Sequence, residues 1–289
     1  MTFRALSAVA SIVALLFAAP AAAEPPVWIV KDADSTIVLF GAVHVLPKDL
    51  AWRPKALDAA LATADDLWFE TPVDADSQAE ASRAAQANGY LPEGQTLDGL
   101  LTPVGRDRLT RVSAKLGLAP GALNRVRPWL ADVTLGVVAL NQQGASVDSG
   151  VERTLAAAAA PTAARRAFET STQQIAFFAD APLADQVASL EDTLKQIDED
   201  PGFYDRLIAA WARGDIRALE DMGLTPMKQV SLFLYDQLIV QRNRRWAETI
   251  ATRMAGSGQT VIVVGVGHLI GPDSVPALLR ARGFTIEGP

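Results

Sequence analysis

The sequence predicts an α/β fold: a mixed central sheet flanked by helices, with a large helical insertion between the N- and C-terminal halves of the sheet. Three observations carry this expectation. Short runs rich in β-branched residues lie towards the two ends of the chain, at 27–44, 66–72 and 260–268. The early runs follow the order strand, strand, helix, strand, which suits a crossover connection in a sheet. Between about 77 and 222 the pattern turns helical, with alanine-rich and amphipathic stretches.

Residues 1–23 read as a leader. They hold one early cation at Arg4, an apolar stretch from Leu6 to Phe17, Pro20 and three closing alanines. This is the pattern of a secretory signal peptide cut after Ala23, and the stretch is too short for a membrane anchor. The expected product is a single domain over 24–289, periplasmic or secreted, with no stable membrane insertion after cleavage.

"VWIVKD" (27–32) and "STIVLFGAVH" (35–44) then form a hairpin through Asp-Ala-Asp-Ser. Residues 53–66 place Leu57, Ala60 and Leu61 at helical spacing, and "DLWFETP" (66–72) is a short strand ended by Pro72. In the insertion, 77–89 is a helix ended by Gly89, 123–144 a helix with Pro128 near its start, and "VERTLAAAAAP" a helix stopped at Pro161. "AAAAAPTAARRA" is expected to run from a helix end into a loop. Residues 183–200 form an amphipathic helix with Leu183, Val187, Leu190 and Leu194 on one face. A long helix follows over 230–258, then the strand "TVIVVGVGH", a short helix at "DSVPALLRARG" and a terminal "FTIE" strand.

Composition excludes some chemistry. There is no cysteine, so neither a disulfide nor a thiolate metal site is possible, and any metal must be held by His, Asp or Glu. The net charge is −7 and no strong basic cluster occurs, so no nucleic-acid partner is expected.

The chain has two histidines, and both close an apolar run three residues after a glycine: Gly41 before His44 and Gly265 before His268. A lone strand-end histidine is most often a satisfied core residue. Two that share one turn pattern point instead to a common centre just past the C-terminal ends of strands, where ligand sites gather in open α/β sheets. Glycine there lets the backbone turn sharply beside a ligand. Imidazole serves both as metal ligand and as general base, so residue type leaves that choice open. Glu70, at the end of "DLWF", adds a carboxylate that is poorly solvated unless paired. Two imidazoles and a carboxylate with open positions suit a catalytic divalent metal such as zinc, manganese or cobalt. By composition alone Arg242, Arg244 and Arg245 read as a solvated cationic face around Asn243. The run Gly265-x-Gly267 resembles a dinucleotide loop only superficially, since Gly271 comes one position late and no acidic residue follows at the right distance.

Taken together, "FGAVHVLP", "LWFE", "GVERTL", "FETSTQQIAFFADAP", "AWARGD", "QRNRRWAETI" and "VVGVGHLIGPDSVPALLRARGF" resemble the TraB/GumN family, which includes the Tiki proteases and is related to the ChaN and erythromycin-esterase-like proteins. One departure is Glu152, where the family more often has aspartate after "GV". The resemblance implies a site of two Gly-x-x-His motifs, a glutamate and an arginine: His44, His268, Glu70 and Arg242, accompanied by Asn243 and Glu169. Gly41, Gly265, Gly267 and Asn243 would line the bound group. The implied activity is metal-dependent hydrolysis of a peptide or small-molecule substrate, with His44, His268 and Glu70 holding the ion and Arg242 stabilising the oxyanion. The relatives also leave room for a metal-free His/Glu esterase and for a haem or small-ligand binder.

Overall fold

The computed structural model describes residues 24–289, so the expected signal peptide lies outside the described residues. Among the described residues eight strands occur: β1 (Val27–Lys31), β2 (Ser35–Ala42), β3 (Leu46–Pro47), β4 (Asp66–Phe69), β5 (Ala145–Ser146), β6 (Ala164–Ala167), β7 (Gly258–Gly265) and β8 (Ile286–Glu287). Six form one mixed sheet in the order β6-β4-β7-β2-β1-β8, while β3 and β5 make a separate two-stranded ladder. The fold is thus the α/β architecture the sequence predicts.

The register explains why the two histidines meet. β2 and β7 pair in parallel over their full length, from Ser35 opposite Gly258 to Ala42 opposite Gly265. β4 pairs with the other side of β7, and β6 with β4, both in parallel. Four strand ends therefore open at the same edge of the sheet. Val261, Ile262, Val263 and Val264 are all buried, as expected for a central parallel strand covered on both faces. β1 folds back on β2 as the antiparallel hairpin, with Val27 opposite Phe40.

The helices are α1 (Lys55–Ala62), α2 (Ala75–Asn88), α3 (Leu97–Leu100), α4 (Pro103–Lys115), α5 (Pro128–Gln142), α6 (Val151–Ala158), α7 (Ser171–Ala179), α8 (Leu183–Glu199), α9 (Phe203–Ala212), α10 (Ile216–Leu219), α11 (Thr225–Val230), α12 (Leu232–Tyr235), α13 (Gln241–Met254) and α14 (Val275–Ala281). Leu57, Ala60 and Leu61 are the buried face of α1, as their spacing predicts. Within the insertion a second apolar cluster forms around Leu97, Val112, Leu135, Leu190 and Leu194. Among the described residues no helix is long and apolar enough to cross a membrane.

Three sequence expectations need correction. Residues 164–167, read as loop, form the sheet-edge strand β6. Alternation is missing because its residues are largely exposed, and pairing with β4 rather than burial makes it a strand. On α8 the inner face carries Gln186, Leu190 and Leu194, while Leu183 is exposed. Gln186 is tolerated inside because its Nε2 donates to the carbonyls of Ala179 and Ala181. The long helix over 230–258 is interrupted. Ser231 has extended backbone and caps α12 by accepting from the Leu234 N–H, and a π-helical turn, Asp236–Val240, leads into α13. Such turns often sit beside functional residues.

Candidate functional site

Each of the four parallel strands ends in a residue of one polar cluster. His44 follows β2, Glu70 follows β4, Glu169 follows β6, and His268 closes the short turn after β7. The Glu169 N–H donates to the Glu70 carbonyl at 2.9 Å, so these two carboxylates leave the sheet side by side. From the helix layer, α13 contributes Arg242, Asn243 and Trp246 on its buried face. Arg244 and Arg245 are exposed. The cationic face read from composition therefore belongs to those two, and Arg242 turns inward.

Arg242 is the centre of the cluster. Its Nε and one terminal nitrogen donate to Glu169 at 2.9–3.0 Å, and that same terminal nitrogen donates to Glu70 Oε2 at 2.6 Å. The other terminal nitrogen donates to the Leu238 carbonyl at 3.2 Å and to His268 Nε2 at 3.1 Å. A guanidinium has five N–H groups, and here all five are engaged inside the protein. The group also lies over the rings of Trp246 and Phe177, at 4.6 and 5.3 Å from their centroids. In this arrangement Arg242 braces the two glutamates and has no donor left for a developing oxyanion, the role implied by the family resemblance.

The two histidines sit in opposite environments. His268 is buried, and its Nδ1–H donates to Asn243 Oδ1 at 2.6 Å, a tautomer fixed by the acceptor on that side. Asn243 is itself held by donating to the Asp273 carbonyl at 2.8 Å. Burial keeps His268 neutral, with its pKa lowered to about 3. His44 is 62 % exposed in its side chain, and its Nδ1 lies 2.6 Å from Glu152 Oε1. The Glu152 charge raises the His44 pKa to about 9. Glu152 comes from the first turn of α6, which docks under His44 because Gly150 has no side chain. A Cβ there would stand 2.1 Å from the His44 carbonyl oxygen.

Glu70 joins the halves. Its Oε1 accepts the Gly265 N–H at 2.7 Å, and its Oε2 accepts from Gln174 at 3.2 Å as well as from Arg242. Burial opposes its ionisation, but the Arg242 cation and the Gly265 N–H hold its pKa well below the usual carboxylate range. A Cβ on Gly265 would meet Glu70 Oε1 at 3.1 Å and His44 Nε2 at 3.5 Å, so this glycine lets the two groups converge. The sharp turns expected of these glycines are made without left-handed backbone, since Gly41, Gly265 and Gly267 all lack positive φ. Gly41 lies within β2, its carbonyl accepting from Trp211 Nε1 at 2.8 Å, and Gly267 packs near Leu224 and Ile239.

A polar cavity of about 150 Å³ opens between His44, Glu70, Glu152, Thr71 and Gln174. The expected three-ligand metal centre does not fit this arrangement. His268 Nε2 faces the Arg242 guanidinium, and among the described residues no group of three His, Asp or Glu side chains is placed to hold an ion. Glu152 and Gln174 are additions the sequence reading did not place in the site. The only signal for Glu152 was its position after "GV", and for Gln174 its place within "FETSTQQ".

These groups also set the pH dependence of stability. The unfolded His268 titrates near 6.5 and the folded one near 3, so below pH 6.5 the unfolded chain binds more protons and stability falls with acidification. Glu70, lowered from 4.5, adds to the loss at still lower pH. His44 acts in the other direction, its contribution being complete below 6.5 and lost as pH rises through about 9. Its exposure makes that arm the weaker one. Melting temperature followed from pH 4 to 10 should peak near pH 6–7 and fall more steeply on the acid side.

The sequence pattern of the TraB/PrgY/gumN family matches residues 26–288. The chain belongs to that family. Among TraB/PrgY/gumN relatives, the YbaP proteins of Escherichia coli (strain K12) and Shigella flexneri are each 25 % identical, over 84 % of this chain and 87 % of theirs. A protein named metalloprotease TIKI homolog, from Amphimedon queenslandica, is 22 % identical over 89 % of this chain and 60 % of its own. No solved structure gives a significant match.

Proposed function

We propose that this TraB/PrgY/gumN protein is an exported hydrolase in which His44, oriented by Glu152, acts as general base on a water in the polar cavity. The observation that supports this best is the 2.6 Å contact between His44 Nδ1 and Glu152. With Nδ1–H donated to a carboxylate, Nε2 is the atom left to accept a proton once the imidazolium has lost its own, as pH rises towards about 9, and it stands beside Glu70 at the cavity. Gln174 supplies a neutral amide donor on the same cavity wall. The bond attacked is an acyl bond, and a peptide amide is the form suggested by the metalloprotease name of the sponge relative.

A metal-dependent variant of the same hydrolysis is the second reading. It is favoured by that relative's name and by the outward anchoring of both imidazoles through Nδ1, an arrangement common in metal-ligating histidines. His44, Glu70 and His268 would be the ligands, and Arg242 would have to withdraw from His268 Nε2.

Hydrolysis of short acyl esters and amides after exhaustive chelation separates the readings. Activity that needs His44 and survives chelation supports the base mechanism. Activity lost on chelation and restored by zinc, manganese or cobalt supports the second reading, and no hydrolysis of either bond type overturns both. Glu152→Gln gives an independent check. Without the adjacent anion the imidazolium is less stable, so the acid limb of the kcat/KM profile, along which the base loses its proton, should move from about pH 9 towards 6.5. An unmoved limb would remove Glu152 from the mechanism.

A further inference from the structure

A second cavity, of about 690 Å³, lies between α5, α8 and α9, within the 300–1,000 Å³ usual for small-molecule sites. Most of its wall is apolar, with Leu116, Val137, Leu140 and Ile197 in the lining, while Gln196, Asp200 and Asp205 add polar groups. Val133 is 44 % exposed along it, an uncovered apolar residue on a helix whose other face is buried. Among the described residues, His44 is the one that lines both this groove and the 150 Å³ polar cavity. Whatever occupies the groove thus reaches the proposed base directly.

The chemistry of the walls selects the occupant. Tyr204 donates to the Val45 carbonyl, Lys115 to the Ile197 carbonyl at 2.9 Å, and Asp132 accepts from Ser189 at 2.6 Å. These polar groups are already engaged, as is Asp200 through Arg206, while Gln142, Gln143 and Asp205 are exposed residues. The groove is framed by helices, whose backbone groups bond internally, so no sheet edge is offered for strand addition. An extended peptide lying here would leave N–H and C=O groups facing apolar walls without partners, which is costly. An unbranched hydrocarbon has no such groups.

We propose that the groove holds the long acyl chain of the substrate, an acyl ester or acyl amide whose carbonyl is presented past His44 to the polar cavity. This rests on the hydrolase reading, but chain binding can be measured without turnover. Gly136 lines the groove, and a Cβ built on it meets nothing within 4 Å. Gly136→Leu should therefore fill the groove without disturbing its neighbours, and leucine is the better helix former.

Titration with a fluorescent long-chain fatty acid, competed by unlabelled saturated acids, is the test. Affinity of the competitors should rise about fourfold per added methylene. Gly136→Leu, shown to be folded by circular dichroism, should weaken the fluorescent acid at least tenfold, while His44→Ala should still bind it. No binding by the parent, or undiminished binding by Gly136→Leu, would overturn the proposal. So would competition by an N-acetylated apolar tripeptide amide but not by decanoate, which would assign the groove to a peptide. Hydrolysis of a short ester, lost in His44→Ala, reports separately on the hydrolase reading.

Discussion

Arg242→Ala is expected to destabilise the protein by about 3–5 kcal/mol, the range seen when one partner of a buried ion pair is removed. That is a large share of the roughly 5–15 kcal/mol that holds a typical protein folded. The reason lies in what the arginine leaves behind. Glu70 and Glu169 are 7 and 8 % exposed, and both depend on the same guanidinium. Removing it strands two adjacent carboxylates away from water and leaves the Leu238 carbonyl and His268 Nε2 without their donor. Arg242→Lys keeps the charge but not the five-donor fork, so it should recover only part of the loss. Combining Arg242→Ala with Glu70→Gln and Glu169→Gln should restore much of the stability, because the uncompensated charges are then gone. Urea unfolding of the four proteins checks this, and a loss under about 1 kcal/mol for Arg242→Ala would show that the cluster is not held by its cation.

His44→Ala should show the opposite pattern. Loss of a positioned general base typically lowers kcat by roughly 10²–10⁴. Stability should change by less than about 1 kcal/mol, since the side chain is 62 % exposed and its ion pair with Glu152 is partly screened. The vacated, solvent-facing position also invites chemical rescue, so added imidazole should restore part of the rate. Hydrolysis at the parental rate in this variant would refute the base assignment. His268→Ala, by contrast, should lose stability as well as activity, because it leaves Asn243 Oδ1 and an Arg242 N–H without partners in a buried site.

Much of this was legible in the sequence. The β-branched runs at both ends and the helical periodicity between them fixed an α/β sheet with a helical insertion, because burial on both faces demands continuous apolar strands. His44, Glu70 and His268 stood out because each follows such a run, and parallel strands must end at the same edge of the sheet. Residues 164–167 were not legible, since a short exposed edge strand carries no alternating pattern and exists through its partner β4.

Two glycine–x–x–histidine turns look equivalent in the sequence, and only the tertiary structure made them different. α13 covers His268, so burial removes its charge and Arg242 engages its free nitrogen. The insertion brings Glu152 against His44 at the surface, so a neighbouring anion favours its charge. Arg242 beside exposed Arg244 and Arg245 is a similar case: which of three nearby cations turns inward depends on helix rotation and on the two glutamates waiting there. The sequence determined which residues reach the end of the sheet, because strand periodicity and turn chemistry are local. Their protonation and roles were decided by solvent access and by charges brought in from 26 to 172 positions away, and no local pattern encodes those.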